Sequence, residues 1–88
     1  MIKKYTKNSI EVEALQYTGT QESMNEVLEW IGDRLIFAGR NETNPNFTLV
    51  SERLGREIVI YNNNWIIKDG QLWFVSSDDI FQTMYEEA

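Results

Sequence analysis

"NWIIKDGQLWF", residues 64–74, decides how the second half of this chain is read. Six large apolar residues, Trp65, Ile66, Ile67, Leu72, Trp73 and Phe74, flank the dipeptide Asp69-Gly70. Asp-Gly favours a two-residue hairpin turn of type I′. A turn centred there predicts the cross-strand pairs Lys68/Gln71, Ile67/Leu72, Ile66/Trp73 and Trp65/Phe74. Opposed residues share a face, and faces alternate along a strand. Trp65, Ile67, Leu72 and Phe74 then make one wholly apolar face, expected to be core. The other face is mixed, with Lys68, Gln71, Ile66 and Trp73, so Trp73 is the aromatic residue expected to be free for outward contact.

Working back towards the N-terminus, "NNN" (62–64) reads as a turn, because Asn tolerates left-handed geometry. "FTLVSE" (47–52) and "REIVIY" (56–61) read as strands joined through a turn at Gly55. "RLIFAG" (34–39) is a short apolar strand followed by the loop "GRNETNPN" (39–46). "QESMNEVLEWIG" (21–32) reads as a helix with Thr20 as its cap and Gly32 as its stop. Met24, Val27, Leu28 and Ile31 form its apolar stripe, Glu22, Glu26 and Glu29 its opposite face, and Trp30 sits on the shoulder of the stripe. "IEVEALQY" (10–17) alternates as a strand until Leu15 and Tyr17 fall on the side of Glu11 and Glu13. Either that face becomes covered, or a bulge shifts the register.

Beyond the hairpin, "SSDDIFQTMYEEA" (76–88) reads as a helix capped by Ser76 or Ser77, with Ile80, Phe81, Met84 and Tyr85 on its apolar side. The expected fold is therefore a single α+β domain over residues 1–88. It has a curved, mostly antiparallel sheet of about five to six strands and two helices, one after the first strand and one at the C-terminus.

Composition narrows the chemistry. The 88 residues contain no Cys and no His, which removes disulfides, thiolate and imidazole metal sites, and the common catalytic triads and dyads. The five glycines are scattered, so no phosphate-cradling loop is present, and none of the carboxylate pairs has calcium-loop spacing. No enzyme activity, cofactor or metal is expected. No apolar run is long enough to span a bilayer, and "MIKKYTKN" lacks the apolar segment of a signal peptide, so neither a membrane anchor nor secretion is expected.

The net charge of −6 is unevenly spread: residues 11–33 and 69–88 carry eleven of the fourteen acidic residues and no Lys or Arg. An acidic balance argues against direct binding to a nucleic-acid backbone. It leaves two readings of the acidic faces. One is a solvated surface that keeps the protein soluble; the other is a surface that competes with nucleic acid for a basic groove or steers towards a basic partner.

"EALQYTG" (13–19) and "NWIIKDGQLWFVSSDDIFQTMYEE" (64–87) together resemble the two ends of a family of small proteins encoded by bacteriophages and prophages of Gram-positive bacteria. Members pair an N-terminal Glu-Ala-x-Gln-Trp-Thr-Gly strand with a C-terminal Trp-Ile-Ile segment, then Asp-Ile-Phe and Tyr-Glu. This chain matches at Trp65-Ile66-Ile67, Asp79-Ile80-Phe81 and Tyr85-Glu86, and departs at "NNN" and "VSS". The resemblance implies a phage origin and no catalytic residues.

The leading functional expectation is a non-enzymatic inhibitor of a host defence nuclease, such as an anti-CRISPR, acting in the host cytoplasm through its acidic surface. Glu22, Glu26, Glu29, Trp30 and Trp73 are the candidate contact residues. A second expectation is a sponge for a nucleotide signal, with Arg40, Arg53 and Arg56 lining a basic pocket. A third is a minor virion or tail-assembly component. The expected partner is a host protein rather than nucleic acid or membrane, and the third reading predicts tight homo-oligomers.

Overall fold

The computed structural model describes residues 2–32, 35–41, 43–51 and 56–88. In chain order its elements are β1 (Lys3–Lys7), β2 (Ile10–Gln16), α1 (Gln21–Ile31), β3 (Leu35–Ala38), β4 (Phe47–Ser51), β5 (Arg56–Ile60), β6 (Trp65–Asp69), β7 (Leu72–Ser76), α2 (Asp78–Met84) and β8 (Glu86–Glu87). The strands form a five-stranded sheet in the order β7-β6-β2-β1-β8 and a three-stranded sheet in the order β3-β4-β5. Every strand pairing is antiparallel, and the fold is α+β as expected.

The five-stranded sheet packs a core on each face. Strand alternation sends Leu15 of β2 and Ile66 of β6 to one side and their neighbours Ala14, Trp65 and Ile67 to the other. The first side meets α1 and the smaller sheet in a core of Leu15, Tyr17, Val27, Ile31, Phe47 and Ile60, among others. The second side meets α2 in a smaller core of Val12, Ala14, Trp65, Ile67 and Phe81. Leu15 and Tyr17 follow the glutamates because that face becomes covered, and β2 pairs with both neighbours without a bulge.

Helix α1 forms where its periodicity predicts. The Thr20 hydroxyl accepts the Ser23 N–H at 3.0 Å. At the other end Gly32 adopts φ 77° and donates its N–H to the Leu28 carbonyl. Met24, Val27, Leu28 and Ile31 are all buried. The Asn turn also holds: Asn63 has φ 71°. Asn64 ties this turn by accepting the Tyr17 N–H, and Tyr17 accepts the Asn63 N–H, each at 2.8 Å. The turn expected at Gly55 lies outside the described residues.

Three expectations are corrected. First, the hairpin turn is centred on Gly70-Gln71, not on Asp69-Gly70. The observed pairs are Asp69/Leu72, Lys68/Trp73, Ile67/Phe74, Ile66/Val75 and Trp65/Ser76. Gly70 alone takes positive φ, at 61°, which is the pattern of a type II′ turn with glycine at its first central position. The register moves by two residues, so the assignment of faces survives while the partners change.

Second, the final helix stops at Met84, and Glu86–Glu87 leave it to pair with Thr6 and Tyr5 of β1. Third, the face of Trp65, Ile67, Leu72 and Phe74 is only half core. Trp65 and Ile67 are buried, whereas Leu72 is 63% and Phe74 47% exposed. A seven-residue helix spans only about 10 Å, so α2 reaches across Trp65 but leaves the hairpin end of the sheet uncovered.

The segment before Ile10 also pairs as a strand. Lys7 and Ile10 face each other across Asn8-Ser9, both with positive φ, which is the two-residue turn that a twisted hairpin requires.

Candidate functional site

The acidic row stands on the outer face of α1. Glu22, Glu26 and Glu29 are exposed, and the opposite side of the helix is locked into the larger core. Glu22 and Glu26 also border a polar cleft of about 370 Å³ with Gln16, Thr18, Thr20 and Ser23. The glutamates of β2 are placed differently. Glu13 lies between Lys4 and Lys68 in the sheet, and Glu11 is 3.5 Å from the Lys4 ammonium. Acidic charge on the sheet therefore has basic neighbours, while α1 carries no Lys or Arg along its length.

Trp30 and Trp73 meet. Their ring centroids are 5.0 Å apart at 68°, edge to face, and both pack half-buried against the larger core. The Lys68 ammonium lies 5.4 Å from the centre of the Trp73 ring. Trp73 is thus not the outward residue of the hairpin. The outward positions are Leu72 and Phe74, and the cause is the length of α2 rather than the polarity of the sequence around them.

Arg40 and Arg56 do not converge. Arg40 donates from Nε to the Gly19 carbonyl at 2.8 Å and lies beside Tyr17, whose hydroxyl donates to the Pro45 carbonyl. Burial raises the Tyr17 pKa, and the Arg40 charge opposes that rise. Arg56 is exposed and pairs with Ser51 at the far end of β4. Arg40, two residues beyond the Ala38/Thr48 pair, is at the other end. Arg53 lies outside the described residues. Arg40 and Arg56 therefore do not share a pocket.

A groove that the sequence did not reveal opens beside α2. It encloses about 560 Å³ between the helix and the bare half of the sheet. Ile10, Val12, Ile67 and Phe74 form its floor, with Ile80 and Met84 on the helix side. Lys7, Asp69 and Tyr85 mark its polar end, where the Lys7 ammonium is 5.9 Å from the centre of the Tyr85 ring. Burial and the nearby Asp69 carboxylate raise the Tyr85 pKa. The available signal was helix length: reading the last helix as ending at Met84 would have left these residues without a cover.

Among the described residues no cluster of three or more acidic side chains is placed to hold a metal ion. Among them, too, no helix is long and apolar enough to cross a membrane. Compared with protein-family models, with curated proteins and with solved structures, the chain matches none.

Proposed function

We propose that this protein is a phage-encoded, non-enzymatic binding protein that inhibits a host defence nuclease in the host cytoplasm. The acidic face of α1 occupies a basic groove that otherwise holds nucleic acid. The observation that carries this reading is the row Glu22, Glu26 and Glu29. It is exposed, stands on a helix capped at both ends, and has no basic residue on the same helix. Successive members are three or four residues apart, so the charges line up along the helix axis. A fixed line of negative charge steers encounter with a basic partner, and that steering weakens as salt rises. The nucleotide-sponge alternative receives less support, because Arg40 is occupied by the Gly19 carbonyl and is remote from Arg56 along β4.

The test is capture of partners from host lysate, followed by a nuclease-inhibition assay with the unaltered protein and with the combined Glu22→Lys, Glu26→Lys, Glu29→Lys variant. The expected result is loss of inhibition by the variant with an unchanged melting temperature, because these side chains are exposed. Full inhibition by a folded triple variant overturns the assignment to this face.

A further inference from the structure

Among the described residues the two sheets have four edges, and these are not alike. β8 is two residues long and consists of Glu86 and Glu87. β5 carries Arg56 and Glu57. β3 is interrupted by a register shift between Ile36 and Ala38. Short length, charge and bulges are the usual protections against pairing with another chain. The fourth edge, β7, has none of them. From Gln71 to Ser77 the sequence is QLWFVSS, without a charge, a proline or a glycine, and β7 pairs in register with β6 throughout. Among the described residues no strand covers its outer side.

The orientation of that free edge follows from the hairpin. In a two-residue loop the flanking residues exchange hydrogen bonds with each other, and the direction then alternates along the strand. Leu72, Phe74 and Ser76 point their main-chain groups at β6, and Trp73 and Val75 point theirs outward. The side chains add an apolar surface on the α2 side. Leu72 and Phe74 are exposed there, next to Ile80 at 55% and Met84 at 43% on α2.

We propose that β7 pairs antiparallel with β7 of a second copy of this chain, across a two-fold axis at Phe74. A self-complementary edge needs no second kind of surface, and an uncharged one suits a chain whose net charge is −6. With the axis at Phe74, Trp73 of each copy exchanges hydrogen bonds with Val75 of the other. Phe74 then faces Phe74 of the second copy at a non-hydrogen-bonded position, where opposed side chains are closest. At roughly half exposure a side chain of this size shows on the order of 100 Å². Leu72, Phe74, Ile80 and Met84 thus offer about 400 Å² per copy, half of the roughly 800 Å² that each partner gives to a standard interface. The paired strands and their flanks supply the rest.

Because the axis is perpendicular to the sheet, the result is one ten-stranded sheet with both α1 helices on the same face.

Two measurements test this. Light scattering on the unaltered chain across a concentration series should give twice the 10.4 kDa chain mass, and Phe74→Lys should halve it. A protein that stays monomeric up to millimolar concentration overturns the proposal, as does a dimer indifferent to Phe74→Lys. The register is tested by disulfide trapping, since the chain contains no cysteine of its own. Phe74→Cys should cross-link under mild oxidation, because opposed Cα atoms at such a position lie within disulfide reach. Leu72→Cys, facing Ser76 of the second copy, should not. Equal trapping at both positions, or trapping at Leu72 alone, overturns the pairing.

Discussion

The Trp65 indole lies flat on the Phe81 ring, with centroids 3.9 Å apart and planes within 7° of parallel. Tyr5 meets both rings edge-on, at 5.4 Å and 5.0 Å, and Tyr85 stacks on the far side of Phe81 at 4.7 Å. Four aromatic rings thus join β1, β6 and α2. Trp65→Ala should destabilise the fold by about 3–5 kcal/mol through lost burial and the cavity left behind. That is a large share of the roughly 5–15 kcal/mol that holds a domain folded. Trp65→Phe keeps a ring on Phe81 and should cost less. Denaturant midpoints of the two variants check the order, and a Trp65→Ala protein as stable as the parent would contradict it.

Gly19 closes the chain between β2 and α1 at φ 86°. A Cβ there would lie 2.7 Å from the Asn62 side-chain oxygen and 3.4 Å from the Pro45 Cβ. Gly19→Ala is therefore strained by its backbone angle and also requires the Asn62 amide to swing aside, and it should lower stability by at least about 1 kcal/mol. Gly70 also has positive φ, but a Cβ there meets nothing within 4 Å. Gly70→Ala should consequently be the milder change, and thermal melts of the pair should separate the steric part from the backbone part.

Asp78 opens α2 and accepts three side-chain hydrogen bonds, from Trp65 Nε1 at 2.9 Å, from Gln82 at 3.2 Å and from Gln16 at 3.3 Å. The Trp65 bond, then the Gln82 bond, favour the carboxylate, and its pKa falls below the ordinary value. A depressed folded pKa gives stability that is fully present above the unfolded aspartate value and is lost as pH falls through the folded one. The stability gap between the parent and Asp78→Asn should be constant near neutral pH. It should then shrink below the ordinary aspartate range. Urea titrations from pH 7 to pH 2 check this, and a gap that widens on acidification would contradict it.

The parts of the fold that sequence showed are those fixed locally. Helix α1 was legible because its stripe, its Thr20 cap and its Gly32 stop all agree. The N-terminal strand was not, since Tyr5 is its one large apolar contributor, only partly buried, and lysines occupy positions 3, 4 and 7. β8 exists only because β1 offers it an edge, so no local signal marks it. The hairpin offered two turns one residue apart, and the turn chemistry of Gly70-Gln71 prevailed over that of Asp69-Gly70. Of the candidate site, the acidic row of α1 was legible from helical periodicity. The groove and the bare β7 edge were hidden, because they arise from what α2 fails to reach.

Consecutive residues of β2 and β6 feed different cores: Ala14 and Leu15, then Trp65, Ile66 and Ile67, are all buried. In a strand wetted on one face, loss of a single residue exchanges a core for solvent. Here it would exchange one core for the other, placing Leu15 where Ala14 fits beneath α2 and Gln16 where Leu15 fills the space under α1. Both layers would be misfilled by the same event. Lineages of this protein should therefore drift by substitution within β2 and β6 and vary in length only between the strands.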